Sequence, residues 1–137
     1  MPLSVSWDDA NRTILYVFVE GVWSIEEFMS TLNTVVAYLH KVSHPVYIIP
    51  DVRQSAAPPL GIIWQSRFVF QRLPGNYAGS VIVTSDNLWR NVVATVRVLY
   101  VRNSSQMATA RTLEEARKIV QKWILEGKGQ CGTNSQK

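Results

Sequence analysis

The chain holds a single cysteine, Cys131, so no internal disulfide can form. A lone thiol fits a reducing compartment. Lying in a polar terminal stretch with no positioned base, it does not read as a nucleophile. Histidine is nearly as scarce: His40 and His44 are the only two. They stand four apart, but no third metal ligand lies near and Pro45 breaks the helical geometry, so they read as helix C-terminal residues, where imidazolium favours the dipole. There is no glycine-rich phosphate loop, and no Ser-His-Asp arrangement can be argued from spacing. The strongest apolar run, Ile14 to Val19, is far too short to cross a bilayer. Met1-Pro2-Leu3-Ser4 lacks the basic region and apolar run of a secretory signal. These absences lead to the expectation of a cytoplasmic chain without membrane insertion, catalytic residue, metal or cofactor.

What is present is the material of one domain. The 137 residues are 47% hydrophobic and 18% charged, enough to bury about two-thirds of the unfolded surface without a metal or disulfide. The net charge of +4 weakly favours acidic partners. The fourteen Lys and Arg residues are spread along the chain, with no aromatic platform between them and no groove-reading motif, so nucleic acid is not the expected partner. Glu26-Glu27 and Glu114-Glu115 sit where helices begin and Asp8-Asp9 where a turn is expected, so paired carboxylates read as local structure.

Leu3, Val5 and Trp7 alternate with serines, a strand, and Asp8 to Asn11 supplies a turn. Thr13 to Val19 is a second strand, apolar on both faces and therefore internal to a sheet. Ser24 and Glu27 form a capping box opening a helix to Lys41, with Ile25, Phe28, Met29, Leu32, Val35, Val36 and Leu39 on one face. Val46 to Ile49 reads as a buried strand with Asp51 at its carboxyl end, and Val52 to Gly61 as a loop, since it carries Pro58, Pro59 and Gly61. Gly61 to Leu73 is helical, stopped by Pro74-Gly75-Asn76. Ser80 to Val83 is a strand. Ser85 or Asp86 caps a helix with Trp89, Val92, Val93, Val96, Leu99 and Tyr100 on its apolar stripe. Gln106 to Arg111 is a weak strand. Thr112 and Glu115 form a second capping box opening a helix through Ile124. Residues 1–125 thus form one domain, and 126–137, glycine-rich and polar, are expected to be a disordered tail.

The order β-β-α-β-α-β-α-β-α predicts an α/β fold with a mixed, mostly parallel sheet covered by helices. From Leu3 to Ile124 this order, with Gly21-Val-Trp-Ser24 leading into a helix and Val46-Tyr-Ile-Ile-Pro-Asp51 ending a central strand, resembles the STAS domain of sulfate transporters and anti-sigma factor antagonists, and most of all its SpoIIAA-like group. The resemblance implies a non-enzymatic protein-interaction module that docks through the loop and helix after the central strand and is released by phosphorylation of a serine at that helix start. Where the family has Asp-Ser-Ser-Gly, this chain has Ala56-Ala-Pro-Pro-Leu-Gly61. Ser55 is the loop serine that remains to be phosphorylated.

Ligands of open parallel sheets bind beyond the strand carboxyl ends, which singles out Asp51, Arg53, Gln54 and Ser55. The apolar residues of the Gly61–Leu73 helix span too wide an arc to face the sheet together. Some must be exposed, line a pocket or meet another chain. Trp64, Arg67 and Phe68 are the candidates there, and Arg90 and Arg97 share the outer face of the next helix. Three functions follow. The first is docking of a protein partner or of a second copy as a homodimer. The second is binding of a small apolar ligand or lipid in a cavity under that helix, since related folds hold such ligands. The third is a hydrolase whose cleft the sequence hides.

Overall fold

Winding direction sets the layers of this protein. The computed structural model describes residues 2–59, 61–100 and 106–134, the last seven by their backbone. Five strands, β1 (Leu3–Trp7), β2 (Ile14–Gly21), β3 (Val46–Ser55), β4 (Tyr77–Val83) and β5 (Gln106–Ala110), lie in the order β1-β2-β3-β4-β5. β1 is antiparallel to β2 and every later neighbour is parallel. Each parallel step advances in the same direction, so right-handed crossovers carry all three connecting helices to one face. These are α1 (Ile25–Leu39), α2 (Ile62–Arg72) and α3 (Asn87–Tyr100). α4 (Leu113–Asn134) follows the last strand and covers the other face.

Two cores result. Leu15, Val17, Val19, Ile48 and Ile82 point toward α1, α2 and α3. Ile14, Tyr47, Ile49, Val81 and Val83 point toward Ala116 and Val120 of α4. Strands buried on both faces need apolar residues at consecutive positions, and this is why their sequences do not alternate.

Local chemistry fixes the ends. Ser24 Oγ accepts from Glu27 N at 3.1 Å while Ser24 N donates to Glu27 Oε1 at 2.9 Å, the reciprocal box that starts α1. Asp9 accepts from the backbone N–H groups of Thr13 and Ile14, closing the β1–β2 turn. Asp8 pairs with Arg117 at 2.8 Å, tying that turn to α4. Asn76 Nδ2 donates to the carbonyls of Leu39, Val42 and His44 at 2.9, 3.1 and 3.3 Å. One amide thus satisfies the free end of α1 and seats the start of β4 beside it.

Three expectations are corrected. β3 does not stop near Ile49 but continues to Ser55. Backbone pairing with β2 sustains it through Pro50 and the polar residues beyond, with a register shift between Phe18 and Glu20 that gives β3 one extra residue. Leu99, expected on the buried stripe of α3, is 53% exposed, while Trp89, Val93 and Val96 are buried. α4 runs past Ile124 to Asn134, so the backbone of 126–134 is helical where a disordered tail was expected. Residues 135–137 lie outside the described residues.

Candidate functional site

Between the sheet and α1, α2 and α3 lies a cavity of about 170 Å³. Its floor is strand side chains such as Val17, Ile48 and Ile82. Its roof comes from α2, which turns Ile62, Ser66, Val69 and Phe70 inward, and from Leu73 just after it. The spacing of these residues is helical, so one side of an eleven-residue helix makes the lid. Gly61 begins α2 at φ 87°, with no side-chain cap. That left-handed entry suits glycine. Trp23 and Trp89 close the end nearest the strand carboxyl termini, stacked at 6.2 Å with their planes 23° apart. Their indole N–H groups are satisfied outside the cavity, by Ser55 Oγ at 2.8 Å and by the Ala56 carbonyl at 3.3 Å.

The opposite face carries a polar network. Asp51, 2% exposed, accepts from Tyr16 Oη at 2.7 Å, from Arg53 Nε at 2.9 Å and from Arg53 Nη2 at 2.7 Å. Burial pushes its carboxyl up, but the hydrogen bonds from Arg53 and Tyr16 outweigh burial and hold it below its ordinary value. Burial, and then the bond to Asp51, push the Tyr16 phenol up to about 12. The ion pair orients Arg53 within β3, and the Tyr16 hydrogen bond ties β3 to β2. The network presents no free base or nucleophile: both carboxylate oxygens are occupied.

The residues singled out from the sequence do not form one surface. Asp51 and Arg53 join Tyr16, which packs on the α4 side of the sheet. Gln54 is exposed beside them. Ser55 turns to the other side, where Oγ accepts from Trp23 and donates to the Ala56 carbonyl at 2.7 Å. Phosphorylation of Ser55 would cost both bonds. Trp64 is 62% exposed on the outer face of α2, with the Arg67 guanidinium over its ring at 5.2 Å and over the half-buried Phe68 ring at 4.8 Å. Arg90 and Arg97 are exposed on α3. His44 Nε2 lies 2.9 Å from the Arg12 carbonyl, a contact that secures the loop after α1.

The sequence offered an apolar cavity under this helix as one of its alternatives and did not name its hydroxyls. Tyr77 Oη and Ser80 Oγ are 2.6 Å apart at the base of β4, and both line the cavity with Thr31 and Ser66. Their signal was a tyrosine and a serine three apart at the head of a strand, too common to single out.

No protein-family model matches the chain, and no curated protein does. Among solved structures, the crystal structure of an uncharacterized protein of the DUF3478 family from Shewanella loihica, described as having a SpoIIAA-like fold, superposes with a TM-score of 0.61. The match covers 85% of this chain and 90% of that one at 12% identity. The chain has a SpoIIAA-like fold. That is the order and mostly parallel sheet expected from the sequence. In this SpoIIAA-like fold the cavity lies on the face of the three crossover helices and the Asp51 network on the face of α4. Among the described residues no helix is long and apolar enough to cross a membrane.

Proposed function

We propose that this SpoIIAA-like domain is a non-enzymatic binding protein that holds a small apolar molecule beneath α2. The observation that carries this reading is the cavity of about 170 Å³ with apolar walls. Protein interiors pack to the density of organic crystals and leave few voids larger than a water molecule. The space is partly open to solvent, and its apolar walls lack contacts that a resident apolar ligand would supply. An engineered cavity of about 150 Å³ lined by Leu, Ile and Phe stays dry and takes up benzene.

The test is thermal unfolding with a panel of one-ring hydrocarbons. At 100 times the dissociation constant a ligand adds about 2.7 kcal/mol, so the midpoint of the native protein is expected to rise. Ser66→Leu fills the cavity. Ser66 Oγ donates only to the Ile62 carbonyl of its own helix, so its loss strands no buried group. The variant is expected to be as stable as the native protein or up to about 1 kcal/mol more stable, and to lose the response to ligand. A native protein indifferent to every member of the panel would count against the reading.

A second reading rests on Trp64. A tryptophan 62% exposed beneath an arginine has the composition enriched at interfaces, and it favours docking of a second copy or another protein on the outer face of α2. Light scattering is expected to give a dimer that Trp64→Ala turns into monomer. A native protein monomeric at high micromolar concentration would remove self-association.

A further inference from the structure

From the hydrogen-bond inventory of the cavity we infer that its ligand is an uncharged, one-ring-sized molecule carrying a single acceptor oxygen, such as an aryl ketone, aldehyde or ether, anchored at the Tyr77–Ser80 pair. This rests on the ligand-binding reading above and names the chemistry of that site.

Charge is excluded first. Among the described residues lining the cavity there is no Asp, Glu, Lys, Arg or His. A carboxylate or an ammonium would enter with no counter-ion, and an unpaired buried charge is costly enough that it neutralises or stays out.

Donors come next. Six side chains with an O–H or N–H line the space: Trp23, Thr31, Ser66, Tyr77, Ser80 and Trp89. Four have spent their hydrogen on the protein. Trp23 donates to Ser55 Oγ, Trp89 to the Ala56 carbonyl, Thr31 Oγ1 to the Glu27 carbonyl at 2.9 Å and Ser66 Oγ to the Ile62 carbonyl at 2.8 Å. Tyr77 and Ser80 have two hydroxyl hydrogens between them and one bond, 2.6 Å long, in which either can be the donor. One hydrogen is therefore left over. It is held where Ser80 is 7% exposed and Phe70 packs on the Tyr77 ring at 6.2 Å. Burial pushes the Tyr77 phenol up to about 12, so the hydroxyl stays protonated throughout the physiological range. A single spare donor among apolar walls selects a ligand with one acceptor and discriminates against one with a charge.

Size comes last. A space of about 170 Å³ is close to the roughly 150 Å³ that admits benzene. It fits a single ring or a short chain and is far too small for a lipid with two acyl tails.

The experiment uses the full chain and three probes of matched size: acetophenone, cumene and benzoate. Dissociation constants are measured by calorimetry or by chemical-shift titration at neutral pH. Acetophenone is expected to bind about tenfold more tightly than cumene, the usual value of one hydrogen bond, and benzoate at least 100-fold more weakly than acetophenone. In the double variant Tyr77→Phe with Ser80→Ala the acetophenone advantage is expected to vanish while cumene binds as before. Cumene binding also reports that the variant is folded, and the three constants of the native protein test the inference without it. If cumene binds but acetophenone gains nothing over it, or benzoate matches acetophenone, the inference is overturned and the cavity reading stands. If no probe binds, both are overturned.

Discussion

Replacing Trp89 with alanine is expected to lower the unfolding free energy of the ligand-free protein by about 3–5 kcal/mol. For a chain of this length that moves the thermal midpoint down by roughly 10–20 °C. Trp89 is 7% exposed, stacks on Trp23 and donates to the Ala56 carbonyl. It joins α3 to the segments after β2 and β3. Trp89→Phe keeps most of the packing and gives up the one hydrogen bond, so it is expected to cost about 1–2 kcal/mol. Denaturant titration of the three proteins measures both. A loss below 1 kcal/mol for the alanine variant would mean that the Trp23–Trp89 end wall of the cavity contributes little to stability.

Asp51→Ala is expected to cost about 2–3 kcal/mol, because it leaves Tyr16 Oη and the Arg53 guanidinium without their acceptor. The charge is partly relieved by water, since the Arg53 side chain is 38% exposed. The network also has a pH window with a definite sign. The Asp51 carboxyl is lower in the folded protein than its ordinary 3.8. Its contribution is therefore complete above that pH and is lost as pH falls through the folded value. The Tyr16 phenol moves the other way, from 10.0 up to about 12. Its contribution is complete below pH 10 and is lost as pH rises through about 12. Stability measured from pH 2 to 12 is expected to fall at both ends, and Asp51→Asn, which has no carboxyl at this position, is expected to flatten the acid limb. Arg53→Ala is expected to raise the Asp51 carboxyl, because burial then acts with less opposition; a carbon-detected titration of Asp51 follows it directly. An unchanged acid limb in Asp51→Asn would deny the network its role.

What could be read in the sequence was what neighbours in sequence decide. The Ser24–Glu27 box and the three- and four-residue spacing of α1 place that helix to within two residues. The alternation of Leu3, Val5 and Trp7 gives β1 its bounds. The excess of apolar residues on the Gly61–Leu73 helix could not all fit against one surface, which left exposure, a pocket or another chain as the ways to place them. The parts that escaped depend on distant partners. β3 looked finished near Ile49, since Pro58, Pro59 and Gly61 gave the stretch from Val52 the composition of a loop. The backbone of β2 prolongs it, to the pairing of Gly21 with Ser55. Asp51 looked like a ligand residue at a strand end, and Tyr16, the residue that makes it structural, lies thirty-five positions away. Asn76 looked like a turn residue after a helix, yet its amide caps a different helix. In each case the side chain's identity was informative and its partner was not.

The asymmetry of the fold frames the functional claim. One winding direction gives three helices to one face and a single helix to the other. Three helices over a twisted sheet leave a gap where α2 spans from α1 to α3, and the side chains beneath it leave that space unfilled. A cavity on the crowded face is therefore a feature of how these sequences pack, with Ser66 and Ser80, two small residues at roof and floor, keeping it open.

The most direct measurement is a crystal structure of the protein soaked with acetophenone. The account predicts one ligand beneath α2, its ring against Ile48 and Ile82 and its oxygen within hydrogen-bonding distance of Tyr77 Oη or Ser80 Oγ. A structure with α2 collapsed onto the strands and the space filled by Val69 and Phe70, with no ligand bound, would contradict it.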